Sequence, residues 1–146
     1  MNGSTGSNSP RIIVGADGSD GSKHALQWAV RQAELTGAEV EAIIAWHYPA
    51  FFGWAAYPDG TDFANCAKQT LDLAIKEVVG TERPAWLRTR VVQGNAALVL
   101  VEASKDASLL VVGSRGYGGF TDALLGSVST YCVHHGHGPV TVIRPR

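Results

Sequence analysis

The chemistry available to this sequence is concentrated where small residues recur at a fixed spacing. Two positions separate Gly113 from Gly116, nine separate Gly116 from Gly126, and Ser127 follows at once. Gly113-Ser114-Arg115-Gly116 can turn sharply, and glycines without side chains let a ligand approach the backbone. Gly126-Ser127 falls where a helix should begin, and the unpaired N–H groups and dipole of a helix start favour an anion. Ser127 offers a hydroxyl donor there, and Ser129 offers another. Together these features predict a phosphate cradle. A flexible glycine-rich connection, encouraged by Gly118-Gly119, is the competing reading of the same residues.

Two better-known phosphate motifs are excluded. Gly119-Phe120 stands where a Walker A sequence needs Lys-Ser/Thr, and Gly15-Ala16-Asp17-Gly18 lacks the spacing of the dinucleotide fingerprint. Arg115, the one cation within Gly113–Gly119, can neutralise phosphate, or it is a surface arginine pairing with Asp122. Cys132-Val133-His134-His135-Gly136-His137 invites a metal reading, but no matching Cys/His cluster exists elsewhere in the chain. No Cys or Ser/His pair forms a nucleophile motif, so no catalytic residue is assigned.

Helices and strands must hold these residues in place. Arg11 to Gly15 is a β-branched run ending in turn residues, as a buried strand does. A helix follows from about Ser22, its predicted cap, with Ala25, Leu26, Ala29, Val30 and Ala33 on one face and Gly37 just past its end. Glu39–Trp46 predicts a second strand. Residues 47–61 read as irregular, with Tyr48, Phe51, Phe52, Trp54 and Tyr57 either packing on the sheet edge or forming a lid or partner surface. A helix over 61–79 turns Ala67, Leu71, Ala74, Ile75 and Val78 to one side. Trp86–Val92 predicts a third strand, and Asn95 caps a helix through about Lys105. Ser108–Val112 is the most apolar strand. A helix from about Gly126 to His134 and a strand over Val140–Arg144 complete the order β-α-β-α-β-α-β-α-β. Such alternation implies a parallel sheet covered on both faces.

The chain has 146 residues, 45% of them hydrophobic, enough for one buried core. Twelve Lys and Arg against thirteen Asp and Glu leave a net charge of −1. That balance supplies no electrostatic drive toward nucleic acid or an anionic membrane. No apolar run approaches the roughly 20 residues that span a bilayer. The polar start, residues 1–10, has neither the basic nor the apolar region of a signal peptide and is expected to be a mobile lead-in to one domain over 11–146. Cys66 and Cys132 make no disulfide framework. Two buried thiols in a reducing compartment, and hence a cytoplasmic location, are expected.

Val14-Gly15-Ala16-Asp17-Gly18-Ser19, Val112-Gly113-Ser114-Arg115-Gly116 and Gly126-Ser127-Val128-Ser129 together resemble the universal stress protein (UspA) family. The resemblance covers about residues 11–144, and the glycine pattern is similar to G-x2-G-x9-G-S/T of its ATP-binding branch. It implies an α/β fold of the adenine-nucleotide α-hydrolase-like kind: a single open five-stranded parallel sheet, order 3-2-1-4-5, with helices on both faces. It implies that Gly113, Gly116, Gly126 and Ser127, with Val128 and Ser129 beside them, hold the phosphates and ribose of ATP or a related adenine nucleotide. Gly15 and Ala16 would border the adenine, and the backbone around Trp46 would read its edge. Asp17 takes the family's acidic position; a carboxylate repels bare phosphate, so its partner is a sugar hydroxyl or a nucleotide-bound Mg²⁺. Asp-Gly-Ser also builds turns unaided, which is the alternative for Asp17. The resemblance further implies a homodimer paired through Val140–Arg144.

The function the resemblance implies is nucleotide binding as a regulatory signal in stress response, with slow hydrolysis or none expected, since no assigned base, water-orienting Gln or conventional P-loop Lys of the kind fast phosphoryl transfer uses is present. A nucleotide-free interaction module and a cyclic-AMP receptor are the alternatives.

Overall fold

The computed structural model describes residues 9–47, 60–115 and 125–144. Residues 1–8 of the tail expected over 1–10, the aromatic residues 48–57, and Gly116–Gly119 with Asp122 lie outside the described residues.

Five strands, β1 (Arg11–Ala16), β2 (Glu39–Trp46), β3 (Leu87–Gln93), β4 (Leu109–Gly113) and β5 (Val140–Ile143), form one parallel sheet in the order β3-β2-β1-β4-β5. The expected order is therefore observed. Central β1 is paired on both sides, Val14 lying opposite Ala42 of β2 and Val111 of β4. Its run Ile12-Ile13-Val14 is buried throughout, because a strand with helices on both faces has no solvent side.

The alternation of β1 divides the core into two layers. Ile12, Val14 and Ala16 join Ala25, Leu26, Ala29 and Val30 of α1 (Asp20–Thr36) and Leu71 and Ile75 of α2 (Gly60–Val79). Ile13, on the opposite face, joins Ile43, Leu110, Leu100 of α3 (Ala96–Ala103) and Cys132 of α4 (Ser127–His135). Helices thus cover both faces. The winding reverses between β1 and β4, and a crevice is expected there beyond the carboxyl ends of the strands.

Three local expectations need correction. α1 is capped by Ser19, whose hydroxyl accepts from the Ser22 N–H at 3.2 Å; Ser22 itself sits buried inside the first turn. The helix starts earlier because the Asp17 turn delivers Ser19 in extended conformation, the geometry a cap needs. α3 stops at Ala103, and a short 3-10 turn over Ser104–Asp106 replaces its last α-helical turn. Cys132 is buried but Cys66 is exposed, since the face of α2 carrying Ala67, Leu71, Ala74 and Ile75 turns inward and leaves Cys66 on the other side. The Asn95 cap is observed, accepting from the Leu98 N–H at 3.2 Å, as is Gly37 in the left-handed conformation (φ 77°) past α1. β5 ends at Ile143, one residue short of Arg144.

Candidate functional site

β1 delivers Asp17 to the carboxyl edge of the sheet. Its Oδ1 accepts from both the N–H and the hydroxyl of Ser19, the former at 2.8 Å. In return the Asp17 N–H donates to the Ser22 hydroxyl at 3.2 Å, and that hydroxyl donates to the Ser19 carbonyl at 3.1 Å. The turn expected of Asp-Gly-Ser is therefore present, closed by Gly18 at φ 84°. The Asp17 side chain remains exposed while one of its oxygens holds the turn.

The first turn of α1 then meets the end of β4 backbone to backbone. A Cβ on Gly21 would lie 2.6 Å from the Arg115 carbonyl oxygen, and one on Gly113 would lie 2.8 Å from the Gly21 carbonyl group. Neither position has room for a side chain. Gly113 was expected to give a ligand access to the backbone; in the fold its missing side chain admits α1.

Ser114, the next residue, is buried and joins three segments. Its N–H donates to the Ile143 carbonyl at 2.8 Å, and its own carbonyl accepts from the Gly126 N–H at 2.6 Å. The same carbonyl accepts from the Ser129 hydroxyl at 3.0 Å. Ser129 is buried, and its hydroxyl also lies 3.0 Å from the Gly126 carbonyl. The Ser129 hydroxyl thus fastens the start of α4 to the end of β4.

α4 consequently begins beside the β4 end. Gly126 is its cap residue, with no side-chain hydrogen bond and no acidic residue in the first turn. The N–H groups of a helix's first turn have no partner within the helix and carry partial positive charge. Ser127 is exposed and Val128 half-buried. α1 differs at its own start, where the Ser19 cap and the carboxylates of Asp17 and Asp20 occupy or offset the same kind of charge. The edge is thus polarised, with an open helix start on the β4 side and carboxylate on the β1 side. Such a pair suits an anion with a hydroxyl or a metal ion attached.

The remaining expected residues spread outward from this point. Ala16 is buried in the larger core layer, and Gly15 leaves room for Leu100, whose Cδ1 would stand 2.7 Å from an added Cβ. Trp46 ends β2, stacks on Phe63 (centroids 6.1 Å apart, planes 3° from parallel), and its carbonyl accepts from the Gly94 N–H at 2.8 Å. Gly116 is outside the described residues. On the far side of α4, His135 packs on Tyr131 at 4.3 Å between centroids, and the His137 N–H donates to the Ser104 hydroxyl. No group of three or more His, Cys, Asp or Glu among the described residues could hold a metal ion. No helix among them is long and apolar enough to cross a membrane.

Two participants escaped sequence reasoning, Gly21 and the Ser114 carbonyl. A glycine at the second position of a helix, where it disfavours the helix, was the available signal for the first. A main-chain carbonyl leaves no signal in residue types.

Known proteins share this fold. UspA from Lactobacillus plantarum superposes with a TM-score of 0.73 at 24% identity, covering 95% of this chain and all of that one. A universal stress protein solved in complex with cAMP does so at 0.61 and 26% identity, covering 92% and 95%. A universal stress protein of Mycobacterium tuberculosis is 34% identical over 147 residues, which include 96% of this chain and 49% of the relative. The chain spans about half the length of the curated relatives it matches. The model of the Universal stress protein family matches residues 9–144, and the chain belongs to that family.

Proposed function

We propose that the chain binds ATP or a related adenine nucleotide across the crevice between the β1 and β4 ends, as a regulatory signal in stress response. The observation that carries this reading is the uncapped start of α4, held to Ser114 on the same edge as the Asp17 turn. The N–H groups of Ser127, Val128 and Ser129, with the Ser127 hydroxyl, would take phosphate oxygens, with Gly116 and Gly126 keeping side chains away and Gly113 letting α1 close on the β4 end. Asp17 would take a ribose hydroxyl or a nucleotide-bound Mg²⁺, while Gly15, Ala16 and the backbone at Trp46 would border the base. These residues fit the group, since donors and carboxylate stand on separate sides and no carboxylate lies in the first turn of α4. The solved relative with cAMP supports the adenine class. Hydrolysis would be slow or absent.

The working form would be a cytoplasmic homodimer. β5 is an edge strand whose Pro139 and Ile143 carbonyls face β4. The period of two then turns the backbone groups of Val140 and Val142 outward, where a second copy can pair with them.

Calorimetric titration of nucleotide-stripped protein with ATP, AMP and cyclic AMP tests the reading. Micromolar ATP binding, about −8 kcal/mol, is expected. Silence toward all three would instead indicate an interaction module, and preference for the cyclic form a cyclic-nucleotide receptor.

A further inference from the structure

We propose that Gly21 is a positioning residue of this site, setting the separation between the Asp17 carboxylate and the start of α4. The inference rests on the nucleotide reading and adds a residue that touches no ligand.

Direct contacts link the two halves of the site. Asp17 is bound to Ser19 and Ser22 at the start of α1. Gly21, between them in sequence, meets the other half: a Cβ there would stand 2.6 Å from the Arg115 carbonyl oxygen, and one on Gly113 2.8 Å from Gly21's carbonyl carbon and oxygen. Between Gly113 and Arg115 lies Ser114, whose carbonyl holds the Gly126 N–H and the Ser129 hydroxyl of α4. Each link is main chain against main chain or a buried or half-buried hydrogen bond. The Gly21 and Gly113 contacts end on backbone atoms, not on a flexible side chain that could swing aside. Real Cβ atoms do not approach backbone this closely, so a methyl group at Gly21 must separate the first turn of α1 from the Arg115 carbonyl.

Local preference points the same way. Glycine is among the weakest helix formers, yet it occupies a position inside α1 where alanine would serve the helix better. The close contact is the feature that excludes alanine.

ATP would touch both halves, phosphates on the α4 side and ribose or its metal ion on the Asp17 side. Adenosine would touch only the second. Widening the gap therefore penalises ATP and spares adenosine, whereas general loss of structure penalises both. Equilibrium dialysis of Gly21→Ala with labelled ATP and with labelled adenosine reads this out, with a thermal melt to confirm folding. The ATP dissociation constant is expected to rise about tenfold while that of adenosine changes less than about twofold. Gly113→Ala attacks the same contact from the other side and should reproduce the selective loss, which covers the case in which Gly21→Ala does not fold. Unchanged ATP binding by folded variant, or equal losses of ATP and adenosine, overturns the role of Gly21 alone. Failure of the unaltered protein to bind ATP removes both this inference and the nucleotide reading beneath it.

Discussion

The Ser129 hydroxyl donates to the main-chain carbonyl of Ser114 at 3.0 Å, a bond between residues 15 apart in sequence. Both residues are buried, at 2% and 5% exposure, and the same carbonyl receives the Gly126 N–H. One peptide group thereby fixes where α4 starts relative to β4. With the Gly126 bond, the Ser129 bond holds the start of α4 at the β4 end of the sheet.

Replacing Ser129 with alanine removes one buried bond while the Gly126 N–H keeps the Ser114 carbonyl satisfied. A net loss of about 1 kcal/mol is expected. In a domain of this size that lowers the melting midpoint by roughly 2–4 °C, measurable by calorimetry. A midpoint equal to that of the unaltered protein would show that the bond contributes nothing to the fold.

Asp17 has two separable parts, the oxygen that closes the turn and the charge. Asp17→Asn keeps an acceptor for the Ser19 N–H and hydroxyl but loses the charge. It should melt close to the unaltered protein while its affinity for Mg²⁺–ATP falls about tenfold, near 1.4 kcal/mol. Asp17→Ala loses both and should also cost about 1 kcal/mol of stability through the weakened helix start. If Asp17→Asn binds Mg²⁺–ATP as the unaltered protein does, the carboxylate has no place in the site.

A proline on β5 separates pairing within the chain from pairing between chains. Thr141 and Ile143 direct their backbone groups toward β4, so Val142→Pro removes an outward N–H and leaves the β4 ladder intact. Sedimentation analysis should find a dimer before the change and a monomer after it. A dimer that survives Val142→Pro is joined elsewhere.

Burial pushes the Cys132 thiol from 9.0 up to about 11. The folded state favours the neutral, protonated form, so the associated stability is fully present below pH 9.0 and declines as pH rises toward 11. Denaturant titrations across that window should show stability falling with pH, on the order of 2 kcal/mol more steeply in the unaltered protein than in Cys132→Ala. At neutral pH, thiol reagents should modify exposed Cys66 and leave Cys132 alone until the protein unfolds. Equal slopes in the two proteins would contradict this account.

The alternation of apolar strands with one-faced helices was enough to identify an α/β sheet, because burial on both faces makes a strand such as Ile12-Ile13-Val14 apolar throughout. The Asn95 cap and the Gly37 stop were legible for the same reason: they depend on neighbours in sequence. Periodicity also placed Leu26 and Leu71 in the core. Ser19 was missed as a cap because Ser22, three residues on, carries the same kind of hydroxyl; the Asp17 turn decides between them.

The amino-acid sequence alone determined which segments become strands and helices, and it put Asp17, Gly113 and Gly126 at their ends, since propensity and capping act over a few residues. Tertiary structure decided what those ends do. It brought Gly21 against Gly113 and Arg115, and it turned the Ser129 hydroxyl inward onto Ser114. Those contacts join residues far apart in the chain, and only the packing of α1 and α4 around the carboxyl edge of the sheet determines which main-chain groups meet.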